Sequence, residues 1–311
     1  MNNNILGLHH ITAIAGDAQQ NLDFYTKVLG QRLVKKTVNF DDPGTYHFYF
    51  GNEQGTPGTI LTFFPWQNIG KGKSGTGMAT EISYTVPTGS LDFWKARFQQ
   101  FNVPFEETIE RLGDKVLRFT DPDGLQLSFV ETPATDSRLP WETADIKKDV
   151  ATKGFHSTTL TLKNIDATAK VLTDLFGYTL LAQEGNRYRF GTTTVESANI
   201  IDLLATPDGD RGHNAAGTNH HVAFRVANDD IQMALREKIV AAGHHITPKI
   251  DRDYFYSLYF REPGGVLFEI ATDNPGFTVD EPLNELGQGL RLPKQYEPHR
   301  KEIEGVLPVL K

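Results

Sequence analysis

The 311-residue chain has no cysteine, which excludes disulfides, thiol nucleophiles and thiolate metal sites. Any metal it holds must use His, Asp and Glu. It has no cationic excess either: 31 Lys and Arg stand against 39 Asp and Glu, a net charge of -8. Such a chain has little with which to neutralise a nucleic-acid backbone or an anionic membrane, and neither is expected as a partner. No run approaches the ~18 apolar residues of a spanning helix. Met1-Asn2-Asn3-Asn4 offers no basic region of a signal peptide, so the expected location is the cytoplasm. Low-complexity tracts are absent, and 39% of the residues are hydrophobic, enough for packed cores. The length suggests two domains at roughly 100–200 residues each.

What is present is repetition. Strand-like stretches of similar shape begin near residues 8, 80, 154 and 219, among them Leu8-His9-His10-Ile11-Thr12 and Asn219-His220-His221-Val222-Ala223. A helical pattern with a polar start follows each. Asp17-Ala18-Gln19-Gln20 resembles a capping box, Asp166 opens the third pattern, and the other two lie near 89–101 and 229–242. Gly30, Gly177 and Gly243 stand where three of these helices should end. Alternating strands broken by turns come next, as in Leu258-Tyr259-Phe260-Arg261-Glu262-Pro263-Gly264-Gly265-Val266-Leu267-Phe268. Each unit reads βαβββ. The expected fold is α+β, with four βαβββ modules paired into two domains over 1–135 and 150–274, a linker at 136–149 and a wrapping tail at 275–311.

Aligning the four first strands puts His10, Glu81, His156 and His221 in one column. Aligning the four last strands puts Thr62, Ser128, Asp202 and Glu269 in a second. The columns are separated by 47 residues from Glu81 to Ser128, 46 from His156 to Asp202 and 48 from His221 to Glu269. Glu269, inside Val266-Leu267-Phe268-Glu269-Ile270, is the sharpest anomaly, because a buried carboxylate must be paired or bound to a cation. If residues 261 and 267 pair across their turn, Tyr259 lies opposite Glu269 on the same face.

The ordinary reading of a strand histidine is a hydrogen-bonded or half-exposed side chain, and it is kept for His47, His213, His244, His245 and His299. Repeat-matched placement favours ligand roles for His10, His221 and Glu269, and leaves His156 balanced between the two. Arg252 reads equally as a solvated loop charge. Phe40, Phe48, Phe63, Phe224 and Phe255 would line a cavity or fill the core. Two imidazoles and one carboxylate form a facial triad with open positions, which suits non-haem Fe(II), with Mn(II) as a substitute. A Zn or Ni lyase or isomerase would want a second carboxylate where Thr62 stands.

At these residues the chain resembles the vicinal oxygen chelate superfamily (glyoxalase, bleomycin resistance protein, dioxygenase), and within it the hydroquinone-type ring-cleaving extradiol dioxygenases. The likeness rests on Gly7-Leu8-His9-His10-Ile11-Thr12, Asn219-His220-His221-Val222-Ala223-Phe224, the Arg252–Pro263 stretch, Phe268-Glu269-Ile270 and Glu297-Pro298-His299-Arg300. It implies open, curved mixed sheets forming a metal-binding cleft, built between distant modules. It also implies Fe(II) held by His10, His221 and Glu269, with Tyr259 and His220 as catalytic groups and Arg252, His9 and Thr12 binding substrate. The implied partners are O2 and a small aromatic diol, whose ring the enzyme opens. Catechol-type relatives would instead draw on His156, His221 and Glu269, and a glyoxalase-type metal-dependent lyase or isomerase is the third reading. Strict strand alternation points His9 and His220 away from the metal face. Ring substituents and homo-oligomer formation stay open.

Overall fold

A strand of six to nine residues with one apolar face needs neighbours on both edges and a cover on that face. The four repeats supply both. A computed structural model describes residues 5–134 and 136–311; residues 1–4 and the expected boundary residue 135 lie outside the described residues. The first module contains β1 (Leu8–Ala15), α1 (Ala18–Asp23, continued by a π-helical turn over Phe24–Val28), β2 (Arg32–Val38), β3 (Tyr46–Gly51) and β4 (Ile60–Pro65). The second contains β5 (Met78–Thr85), α2 (Leu91–Gln100), β6 (Ile109–Arg111), β7 (Asp114–Thr120) and β8 (Gln126–Glu131). In the third are β9 (Gly154–Leu162), α3 (Asp166–Lys170, with a π-helical turn over Val171–Leu175), β10 (Thr179–Glu184), β11 (Arg187–Gly191) and β12 (Ile200–Ala205). The fourth holds β13 (Thr218–Val226), α4 (Asp229–Ala241), β14 (Ile250–Asp251), β15 (Phe255–Arg261) and β16 (Leu267–Pro275).

The helices begin and end for local reasons. The Asp17 carboxylate accepts from the Gln20 amide at 2.7 Å, and the Asn228 side chain caps α4 by accepting from Ile231. Gly30 and Gly177 take φ of 65° and 69°, a left-handed turn that stops the helical run at little steric cost.

Two curled eight-stranded mixed sheets result, in the orders β14-β15-β16-β13-β1-β4-β3-β2 and β10-β11-β12-β9-β5-β8-β7-β6. Module one therefore joins module four, and module two joins module three. The division at 136–149 separates sequence repeats, while hydrogen-bonded sheets cross it through β5 and β9. Each sheet turns its apolar face to its helices. Phe48, Phe63 and Phe224 are fully buried in that core, with Tyr25 of the π-helical turn packed 4.6 Å from Phe63. The other face carries the polar residues of the two columns.

After β16 the chain returns to the first module. The Arg291 amide bonds Lys36 O at 2.9 Å, and the Tyr296 hydroxyl donates to Phe40 O at 2.6 Å. Buried Lys35 is neutralised there by Asp280 and Glu281. Short α5 (Arg300–Val306) follows.

Candidate metal centre

β1 and β13 pair antiparallel at the middle of the first sheet, setting Thr12 opposite His221. β16 runs parallel to β13 with Glu269 beside Ala223. This register brings His10, His221 and Glu269 together, with ligand atoms all within 4.8 Å of one another. The Glu269 Oε2 atom lies 3.2 Å from His10 Nε2 and 2.9 Å from His221 Nε2, and the two Nε2 atoms are 3.4 Å apart. Glu269 is 0% exposed. Burial alone would push its carboxyl up, but the two imidazoles outweigh it and hold the group well below the usual carboxylate range. Ser257 donates to Oε1. Oε2 receives no aligned hydrogen bond despite its two close nitrogens. Three donor atoms thus converge on one buried point. Two cis ligands on bonds of about 2.1 Å stand about 3 Å apart, so the spacing fits a first-row divalent ion.

Two β-bulges prepare the imidazoles. In the β1·β13 ladder His9 is the unpaired residue between Leu8 and His10, and His220 the unpaired residue between Asn219 and His221. A bulge interrupts alternation and re-aims side chains, which removes the conflict that strict alternation poses. His9 Nδ1 reaches His10 Nδ1 at 2.9 Å and its Nε2 reaches Thr272 O at 3.1 Å. Because a carbonyl only accepts, neutral His9 carries its proton on Nε2 and accepts from His10 Nδ1–H. The lone pair of His10 is then on Nε2, facing Glu269. His220 Nδ1 meets His221 Nδ1 at 2.7 Å, and a metal on His221 Nε2 would leave the His221 Nδ1–H to donate to it. Such partners orient metal-binding imidazoles. Burial, then the neighbouring His10, keeps His9 well below its ordinary pKa; burial and His221 bring His220 down to about 3. His9 is absent from the cavity wall. It sits behind His10, where the bulge turns it toward Thr272.

His10 and His221 face a cavity of about 340 Å³ whose walls include Thr12, Phe40, Phe64, His220, Phe255 and Tyr259. This volume suits a single small ring. Tyr259 pairs with Glu269, and Arg261 with Leu267. Burial, with the Glu269 carboxylate, raises the Tyr259 phenol well above its ordinary value, and Arg252 offsets only part of this. The Arg252 guanidinium lies 5.5 Å from the Tyr259 ring centre and 5.4 Å from that of Phe40. Burial disfavours its charge, but Tyr259 and Glu269 outweigh that and raise its pKa. Arg252 therefore belongs to the cavity, with its only carboxylate contact among the described residues being Asp41 at 3.7 Å.

His156 is elsewhere. Its strand, β9, lies in the second sheet, where His156 Nε2 faces Asp114 at 3.6 Å. The ladder also shifts the column by one residue: His156 is the bulged residue between Phe155 and Ser157. It occupies the place of His9, and Ser157 that of His10. His156 is thus not brought to His221 and Glu269, and the catechol-type ligand set is not assembled. Aligning histidine on histidine hid this, since a bulge adds a residue without changing the pattern.

Sequence reasoning missed Ser257, Tyr49 and His47. Tyr49 pairs with Thr62 as Tyr259 pairs with Glu269, and His47 and Ser257 stand two residues earlier on their strands. Aligning third strands as well as first and last would have exposed them.

Residues 7–129 and 154–270 each match the model of the Glyoxalase/Bleomycin resistance protein/Dioxygenase superfamily. The chain belongs to that superfamily. Along nearly its whole length it also groups with proteins of this superfamily named for ring cleavage. It is 49% identical over 304 residues, 97% of this chain and 96% of the other, to "Putative ring-cleaving dioxygenase MhqO" of Bacillus subtilis (strain 168). It is 38% identical over 303 residues, 96% of this chain and 94% of the other, to the chlorohydroquinone/hydroquinone 1,2-dioxygenase of Sphingobium indicum. A crystal structure titled as a putative dioxygenase from Bacillus subtilis subsp. subtilis str. 168 superposes with a TM-score of 0.95 at 47% identity, covering 99% of this chain and 98% of that one. No helix among the described residues is long and apolar enough to cross a membrane.

Proposed function

We propose that this superfamily member is a non-haem Fe(II) dioxygenase that opens the ring of a hydroquinone, using both atoms of O2. The carrying observation is the convergence of two imidazole Nε2 atoms and one carboxylate oxygen on a buried point beside an aromatic-lined cavity. His10, His221 and Glu269 would hold the metal, leaving positions free, and the names of the long-range relatives support the substrate class. When bound, Fe(II), or Mn(II) in its place, supplies Lewis acidity toward the diol and one-electron chemistry with dioxygen.

The chain's own groups do the rest. Arg252 attracts and orients the substrate anion. Tyr259, kept protonated, offers a hydroxyl proton beside the metal position. His220, with Nδ1 engaged by His221, presents Nε2–H to the cavity as a hydrogen-bond donor. Phe40, Phe64 and Phe255 exclude water from the ring. A glyoxalase-type lyase would want a fourth protein ligand, and the repeat position that would offer it is Thr62.

The test is oxygen uptake by anaerobically prepared, Fe(II)-loaded protein on adding a substituted hydroquinone, then a catechol, alongside His10→Ala. Uptake with the hydroquinone, lost in the variant, is expected. Oxygen-independent turnover of a hemithioacetal under Zn or Ni, with neither diol consumed, would sink the reading.

A further inference from the structure

A chain of buried polar groups runs up to the cavity from the first module and has no part in holding the metal. The Tyr49 hydroxyl lies 3.0 Å from His47 Nδ1. His47 Nε2 lies 2.9 Å from Thr62 Oγ1, and Thr62 Oγ1 lies 2.8 Å from Thr12 Oγ1. All four are buried: Tyr49 is 1% exposed, His47 8%, Thr62 0% and Thr12 1%. Thr12, His47 and Tyr49 touch the cavity, whereas Thr62 does not.

The direction of the chain follows from its first member. The Tyr49 hydroxyl has His47 Nδ1 as its hydrogen-bond partner among the described residues, and the order of the chain is that of the phenol as donor. A neutral His47 then carries its proton on Nε2 and donates to Thr62. Thr62 in turn spends its proton on Thr12, and the Thr12 hydroxyl is left to donate outward. We infer that Tyr49, His47 and Thr62 form a one-way hydrogen-bond relay that sets Thr12 as a fixed donor to an oxygen of the aromatic diol. This rests on the proposed function. Thr62, which does not touch the cavity, is a positioning residue acting through Thr12, and His47 acts on Thr12 through Thr62. The register supports the assignment, because His47 holds Thr62 as Ser257 holds Glu269. In module one the device that fixes a ligand has been turned toward substrate.

Calorimetric titration of Fe(II)-loaded protein with hydroquinone under argon tests this. Thr62→Val and His47→Phe should each weaken binding about tenfold, the worth of one hydrogen bond, with bound metal unchanged. His47→Gln should restore it, since its amide can donate to Thr62 and accept from Tyr49. Thr12→Val combined with Thr62→Val should be no worse than Thr12→Val alone. Long-range ¹H–¹⁵N spectra of Zn(II)-loaded, ¹⁵N-histidine-labelled protein should show His47 protonated on Nε2. Additive losses, a Thr62→Val affinity within twofold of the wild type, or a His47 protonated on Nδ1 would each overturn the relay. Failure of the wild type to bind hydroquinone would overturn the proposed function and the relay's task toward substrate; the spectra read the direction of the chain independently of that.

Discussion

The two sheets share a fold and differ in what fills their polar faces. In the first, the ladder places His10, His221, Thr62 and Glu269 around the centre, with Tyr49 and Tyr259 opposite Thr62 and Glu269. In the second, the corresponding places hold Glu81, Ser157, Ser128 and Asp202, and the partners of Ser128 and Asp202 are Arg118 and Arg189. Arginine replaces tyrosine at both positions. Arg189 binds Asp202 at 2.9 Å and Asp114 at 2.6 Å. Arg187, in the place of Ser257, adds a contact to Asp202 at 3.3 Å, and Arg111 binds Glu81 at 2.7 Å. A guanidinium brings a permanent cation and five donors to a carboxylate. The column carboxylates Glu81 and Asp202 are thus neutralised by guanidinium groups in one sheet, whereas in the other Glu269 meets, among the described residues, two imidazoles and the Ser257 hydroxyl. One repeated scaffold carries a salt-bridged core in one sheet and a candidate ion site in the other, with arginine or tyrosine opposite the carboxylate.

Removing the anomaly from the first sheet should have the largest effect. Glu269→Gln is expected to lose metal affinity well beyond the ~100-fold cost of removing an outer-shell partner and to abolish oxygen uptake; full metal occupancy by elemental analysis would contradict the ligand assignment. The matching change in the second sheet should cost stability instead. Asp202→Asn leaves buried Arg189 with Asp114 as its one carboxylate and should lower the unfolding free energy by about 1.5–3 kcal/mol in urea, with metal occupancy unchanged.

Tyr259→Phe sharpens the contrast between a tyrosine proposed to serve chemistry and arginines that pair with carboxylates. Turnover should fall by roughly 100-fold while bound metal stays near the wild-type level, and equal loss of both would make the phenol structural. The smallest expected effect is a pH slope. Burial, then Arg189, holds His156 down to about 4, below the ~6.5 of the unfolded chain. Between these values the unfolded state binds a proton that the folded state refuses, so stability is present above about 6.5 and is lost as pH falls toward 4. His156→Gln should flatten that slope by up to about 1.4 kcal/mol per pH unit, and an unchanged slope would show that His156 does not contribute.

Much of this was legible before any coordinates. The βαβββ rhythm follows from strand and helix periodicity, and Tyr259 opposite Glu269 follows from counting back from a turn. His10 and His221 stood out by their matched places in the repeats, and Glu269 because a charge in an apolar strand needs a partner. The bulges at His9, His220 and His156 were not legible, since an unpaired residue exists only relative to a second strand. Nothing in the local pattern marks Arg187 and Arg189, because Asp202 meets them only across the β11·β12 ladder.

The sequence by itself determined the repeating units, the residue types able to hold a metal, and the need to neutralise Glu269, because all three depend on local period and chemical identity. Only the tertiary structure decided that module one closes on module four, that His156 stays with the arginines, and that Thr12 is backed by Thr62 with His47 behind it. Those outcomes depend on register between strands distant in the chain, and register is fixed by which apolar faces are buried together.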